Sequence, residues 1–244
     1  MTDPKDAGYL ARVRCRRLGA DGSASFCEEL LVRETTVELR LDGRPIARVA
    51  CLEAHLEELA VGHLLGAGLL GSAGQVRSVS VNGRDPVVVG VATRRGDRAP
   101  RRSDDRAPPA DRASRRGPDL GELVRAGREF DRRQGLYERT RFVHSAALFC
   151  PESGAQILRE DVGRHNAVDK VVGRAALDGR DPAGCALLTS GRLALEMVAK
   201  AARAGFGAFV SPAAASAEAA ALACESGLVL LGRVGDPEPI VYGG

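Results

Sequence analysis

The run Glu160-Asp161-Val162-Gly163-Arg164-His165-Asn166-Ala167-Val168-Asp169-Lys170 gathers charges and hydrogen-bonding groups into one short window. Val168, Val171 and Val172 recur at helical spacing, so a helix opens at or just before Asn166, after Gly163 ends a strand. A helix start leaves backbone N–H groups free and carries the positive end of the dipole. Arg164, His165, Asn166 and Lys170 add donors and charge there, with Asp169 in the same patch; Asn166 and Lys170 lie one turn apart on one face. Groups of these types can read phosphates or the polar edge of a heterocycle. The competing reading pairs Arg164 and Lys170 with Glu160, Asp161 or Asp169 and makes His165 a hydrogen-bonded corner.

A second cluster is Thr189-Ser190-Gly191-Arg192, between Ala186-Leu187-Leu188 and Leu193-Ala194-Leu195-Glu196. Ser190 is expected to cap a helix, Gly191 to permit close backbone approach and Arg192 to meet a phosphate. At a third junction, Ser211 and Ser216 either bond a ligand or cap a helix, and capping is preferred. His144 lies on a strand and either faces the site or is a satisfied core histidine.

These residues need a frame. From Ala155 onward, strands near 155–160, 185–189, 207–211 and 228–232 alternate with helices near 165–177, 193–204 and 215–226. That alternation predicts an α/β domain over 119–244 with a mainly parallel or mixed sheet, its strand-to-helix junctions on one edge. Residues 1–93 read as a smaller β-rich lobe with one helix. Asp42-Gly43 joins one hairpin, Asn82-Gly83 another, and apolar spacing from His55 to about Leu70 is helical. A helix is expected over Leu120–Gln134 and a strand over Phe142–Phe149. Between the two parts, residues 94–118 hold nine Arg and four Asp with almost no apolar side chains. Such a segment cannot offset its ordering entropy, so it reads as a disordered loop rather than a phosphate-binding arm.

Composition excludes several classes. A hydrophobic fraction of 44% sustains a core, which must be aliphatic because Trp is absent and aromatics are 4%. A net charge of +3 is too mild to argue for nucleic acid. No stretch reaches the roughly 20 apolar residues of a membrane span, and Met1 to Gly8 lacks signal-peptide order. Cys15, Cys27, Cys51, Cys150, Cys185 and Cys224 are scattered without a C-x-x-C, so neither a disulfide framework nor a metal site is expected. Free buried thiols in a reducing cytoplasm are the ordinary reading, Cys185 among them. Arg dominates the basic residues, as codon bias would make it. Lys170 and Lys200 are therefore conspicuous.

Taken together, Arg159 to Lys170 and Ser190-Gly191-Arg192 resemble the formate dehydrogenase accessory sulfurtransferases, the FdhD family. So do Glu57 to Gly62, Thr140 to Phe149 with His144, and Gly227 to Gly232 running on to Val241-Tyr242. The resemblance covers nearly the whole chain apart from the Arg-rich segment. It implies a cytidine-deaminase-like, three-layer α/β fold and a cytoplasmic homodimer. It also implies transfer of sulfur from a cysteine desulfurase to the molybdenum (or tungsten) bis-guanine-dinucleotide pterin of a formate dehydrogenase. The phosphates and guanine of that ligand suit Arg164, His165, Asn166, Asp169, Lys170, Ser190, Gly191, Arg192, His144 and Ser211.

The chain also departs from the family. The C-x-x-C that takes up sulfur in family members would fall in 94–118, which has no cysteine, and a persulfide carrier needs an exposed thiolate. Cys150, beside Pro151 at a strand end, is the nearest substitute. The family's Thr-Gly-Gly reads Thr140-Arg141-Phe142, and the Ser pair after Ser-Gly-Arg reads Leu193-Ala194. The C-terminal Gly- and Arg-rich stretch reads Arg233-Val234-Gly235-Asp236-Pro237-Glu238. Three functions follow: an accessory protein that supports sulfuration, a cofactor- or guanine-nucleotide-binding homologue without sulfur transfer, and a zinc hydrolase. The last has only His144 and His165 as ligands, with neither H-x-E nor P-C-x-x-C.

Overall fold

The structure is a computed structural model that describes residues 8–84, 86–94, 119–132, 135–151 and 155–243. Apart from Arg94, the segment expected to be disordered lies outside the described residues. Alternating β-branched residues build a four-stranded sheet from β3 (Thr35–Leu41), β4 (Arg44–Cys51), β5 (Val76–Asn82) and β6 (Val87–Thr93), ordered β4-β3-β6-β5. Asp42 and Gly43 turn the first hairpin with positive φ of 49° and 78°, as an Asp-Gly pair allows. Ahead of it, β1 (Leu10–Leu18) and β2 (Ala24–Val32) form a separate two-stranded ribbon.

The second sheet has six strands. These are β7 (His144–Cys150), β8 (Ala155–Asp161), β9 (Ala186–Thr189), β10 (Ala208–Val210), β11 (Val229–Gly232) and β12 (Ile240–Gly243). Their order is β12-β11-β10-β9-β7-β8. Only the β9–β10 and β10–β11 pairings are parallel; β7 runs against both β8 and β9, and β12 against β11. The sheet is therefore mixed, because β7 returns by a short connection to β8 instead of a helical crossover.

Side-chain alternation sorts this sheet's residues between two faces. Ala146, Leu148, Leu187, Phe209 and Leu230 join one core cluster, and Ala147, Ala186, Leu188, Ala208, Val210 and Leu231 join the other. The first face is covered by α4 (Arg164–Leu177), α5 (Leu195–Arg203) and α6 (Ala217–Ser226), and α1 (Leu56–Gly66) lies between α4 and the four-stranded sheet. The other face carries α2 (Leu120–Asp131) through Leu123, Ala126 and Phe130. The helix expected to reach Gln134 ends at Asp131, and a short α3 (Gly135–Thr140) follows. Glycine at 135 breaks the run, and the Glu160 carboxylate accepts from the Leu136 and Tyr137 N–H groups that open α3.

Both sheets share one apolar core, from Val37 and Val89 through Leu59 and Val171 to Phe209. The crossing of α1 and α4 is close enough that their backbones meet at Gly62 and Gly173. A Cβ at Gly173 would overlap the Glu58 carbonyl oxygen, and one at Gly62 the Asp169 carbonyl oxygen.

Candidate functional site

The cluster at the start of α4 divides into an inward and an outward half. Asn166, Asp169 and Lys170 share one helical face, as the spacing requires, and that face is buried. Lys170 and Asp161 are fully buried, with Nζ 2.5 Å from Asp161 Oδ2 and 3.3 Å from the Leu52 carbonyl. Asp161 also accepts from Leu52 N, Gly163 N and Asn166 Nδ2, while Asn166 donates to the Ala50 carbonyl at 2.7 Å. The carboxylate thereby ties the helix start to the end of β4. Asp169 is spoken for as well. Lys200 reaches both of its oxygens at 2.6 Å, and His63 Nδ1 lies 3.3 Å from Oδ2. The Lys170–Asp161 pair realises one half of the competing reading, while Asp169 is taken by Lys200 and His63 instead.

The outward half is different. Arg164 and His165 occupy the first turn of α4, which no side chain caps. The stem of Arg164 lies on Gly191, where a Cβ would come within 2.9 Å of Arg164 Cδ. Arg164 Nε is buried without a hydrogen-bond partner, and no carboxylate pairs with the guanidinium among the described residues. Next to it, His144 Nδ1 is 3.3 Å from Ser190 Oγ, so this histidine faces the site. Ser190 does not cap a helix, because α5 begins only at Leu195. Its Oγ accepts from Ser145 N at 3.0 Å instead. Ser211 is buried, donating to the Gly191 carbonyl at 2.7 Å, and Ser216 caps α6 through Ala219 N. Arg192 is exposed.

A cavity of about 560 Å³ opens on this edge, lined by Asp131, Tyr137, Glu138, Arg141, Val143, His144, Ser190 and Pro212. That volume suits a nucleotide-sized ligand. It lies at the ends of the parallel strands β9 and β10, and the antiparallel β7 brings His144 to the same edge. Burial, then the Arg164 charge, pushes the His144 imidazole below its ordinary value. Burial, Lys200 and Arg164 do the same to His165, against the pull of Asp169 and Glu196. Both rings are thus held neutral beside an unneutralised guanidinium, an arrangement that attracts an anion.

The α3 wall was not anticipated from sequence. Tyr137, Glu138 and Arg141 reach the cavity because Glu160 anchors α3, and Glu160 had been read only as a partner for a basic residue. Arg141 has φ 55°, rare for a side-chain-bearing residue, and its guanidinium sits 5.3 Å from the Tyr137 ring centroid. The departure at Thr140-Arg141-Phe142 was the one signal pointing there.

The cysteines also need correction. Cys150 and Cys185 are joined by a disulfide, since the antiparallel register of β7 and β9 sets them opposite each other one step beyond Phe149 and Ala186. Cys185 is not a free thiol, and Cys150 is not an exposed one. Cys51 is buried, and burial pushes its thiol up to about 12. Among the described residues no three His, Cys, Asp or Glu gather as a metal site. No described helix is long and apolar enough to cross a membrane.

A sequence model of the FdhD/NarQ family matches residues 32–244. The sulfur carrier protein FdhD of Streptomyces avermitilis is 33% identical, with 92% of this chain and 90% of that protein covered. The sulfur carrier protein FdhD of Bordetella parapertussis is 32% identical over 97% of this chain and 92% of its own. Among solved structures, a formate dehydrogenase accessory protein from Desulfotalea psychrophila superposes with a TM-score of 0.82 at 28% identity, covering 97% of both chains.

Proposed function

The chain belongs to the FdhD/NarQ family, and on that premise we propose that it is a formate dehydrogenase accessory protein that carries sulfur to a guanine-dinucleotide pterin. The cargo is the molybdenum bis-guanine-dinucleotide cofactor. The sulfur donor is a cysteine desulfurase, and the client is a molybdenum- or tungsten-dependent formate dehydrogenase. The protein works in the cytoplasm as a homodimer with cytidine-deaminase-like layering and a smaller N-terminal lobe.

One observation carries the binding part of this reading: Arg164 Nε is buried without a partner close to His144, and His144 with Ser190 lines a cavity of about 560 Å³. A phosphate oxygen supplies the missing acceptor. Glu138, which lines the same cavity, offers carboxylate oxygens to the N–H edge of guanine. In this reading Lys170, Asn166, Asp169 and Ser211 shape the site from behind, through the bonds described above. Titration calorimetry with GDP tests it. Wild type should bind and Arg164→Ala should lose about tenfold or more, the value of one charge-assisted hydrogen bond. Equal affinity for both proteins would remove Arg164 from the site.

The second reading, a cofactor-binding homologue without sulfur transfer, is favoured by the consumption of Cys150 and Cys185 in a disulfide. Incubation with a desulfurase and cysteine separates the two. Sulfur bound to any cysteine, or sulfide released in step with a new disulfide, supports the carrier; neither of the two supports the binder.

A further inference from the structure

A sulfur carrier must present a thiol, and the chain offers few. Cys51 is buried, Cys150 and Cys185 are bonded to each other, and Cys224 is a single exposed thiol whose Sγ lies 3.7 Å from the Tyr242 carbonyl. Cys15 and Cys27 differ from all of these. They sit directly opposite each other on β1 and β2, half-exposed, with their sulfurs 3.4 Å apart. Cross-strand neighbours of this kind lie at the Cα spacing a disulfide requires, so the two sulfurs can exchange a bond without moving the backbone.

The surroundings favour chemistry over packing. Arg17 lies two residues beyond Cys15 on the same face and Glu29 two beyond Cys27, and they pair at 2.8 Å across the sulfurs. A guanidinium is thereby held beside thiols that would gain negative charge. The ribbon is anchored at its base, where Leu10, Leu30 and Val32 pack with Leu136 and Val143, while Leu18 and Phe26 towards the tip are exposed. The anchoring partner is α3, the helix whose Tyr137 and Glu138 line the cavity. The base of the ribbon thus borders the helix that walls the cavity.

Resting on the sulfur-carrier reading above, we propose that Cys15 and Cys27 are the sulfur-accepting dithiol of this chain. Cys15 can donate to Cys27 Sγ or to the Cys27 carbonyl at 3.8 Å. That hydrogen bond first, then burial and the charges of Cys27 and Glu29, push the Cys15 thiol upward, with Arg17 opposing. Cys15 spends its proton on the Cys27 carbonyl, which leaves Cys27 as the attacking sulfur. The Cys27 thiolate takes the outer sulfur of a persulfide donor R–S–SH. The donor's S–S bond breaks, its proton passes to the departing thiolate, and Cys27–S–S⁻ and R–SH result. Cys15 then attacks the inner sulfur of that persulfide. Its proton goes to the outer sulfur, which leaves as HS⁻, and a Cys15–Cys27 disulfide forms. Two equivalents of a small thiol return the pair to the dithiol, leaving as their own disulfide.

The test is peptide mass spectrometry of the full chain after exposure to glutathione persulfide, with released sulfide measured alongside. Wild type should release sulfide and acquire a Cys15–Cys27 disulfide. Cys15→Ser, lacking the second thiol, should retain one added sulfur on Cys27 and release none. Cys27→Ser should do neither, and Cys224→Ser should match wild type. Sulfur found on Cys224 with none on the ribbon would overturn the proposal and leave the carrier reading standing. Sulfur on no cysteine of any variant would overturn both.

Discussion

Adding one methyl group at Gly173 should cost about as much as truncating a buried leucine to alanine. The new Cβ would overlap the Glu58 carbonyl oxygen and stand 2.9 Å from Gly62 N. Both obstacles are backbone, so no rotamer change relieves them; α1 and α4 must move apart by roughly 1 Å or more to restore van der Waals contact. Parting them loosens the core on both sides of the crossing, around Leu59, Val61, Val168 and Val172. Overpacking of this kind costs about 1–3 kcal/mol and more where the backbone must shift. Against that, alanine gains about 1 kcal/mol of helix propensity over glycine. A net loss of about 3 kcal/mol follows if the shift brings the gross cost near 4. For a chain of this size each kcal/mol moves the melting temperature by about 2–4 °C, so Gly173→Ala should melt about 6–12 °C below wild type. The control is Gly135→Ala, where nothing lies within 4 Å of the new Cβ. Because α4 also carries Arg164, the displaced helix should bind GDP more weakly. A Gly173→Ala protein that melts at or above wild type would refute the reasoning.

Two further outcomes can be checked. Lys170→Met should lose about 3–5 kcal/mol in urea unfolding, since it strands a fully buried carboxylate; the double variant with Asp161→Asn should recover part of that, and strict additivity would contradict the pairing. His144 and His165 are both pushed down on folding, so the unfolded chain takes up their protons first as pH falls. Stability should therefore be level above the ordinary histidine value of about 6.5 and decline below it, while a bound anion pulls protons onto the rings and binding of GDP tightens in the same range. Calorimetry in buffers of different ionisation enthalpy reads that uptake, and its absence would place the anion away from both rings.

Local signals read well from the sequence. Asp42-Gly43 and Asn82-Gly83 announced their hairpins because turn chemistry is a property of adjacent residues, and the helices after Gly163 and Ser216 declared themselves by spacing. The retained lysines were a sound clue too, though to a different end: Lys170 and Lys200 each place a compact ammonium against a buried carboxylate. What did not read was direction. Helical spacing put Asn166 and Lys170 on one face but could not say whether that face met ligand or core, because the choice depends on where Ala50 and Leu52 lie. The α3 wall was hidden for the same reason, its anchor Glu160 being more than twenty residues away. Strand register, invisible in a list of scattered cysteines, joined Cys150 to Cys185 and brought Cys15 to Cys27.

The disulfide stands at the opposite end of β7 from His144, six residues and roughly 20 Å along the strand. A strand between two antiparallel neighbours can in principle slide by two residues and keep its faces. The covalent link at Cys150 forbids that slide, so the distance from bond to histidine works as a ruler. The imidazole is set against Ser190 by a measurement made on the far side of the sheet. An insertion or deletion anywhere between residues 144 and 150 would leave the fold recognisable and put the ring in the wrong place.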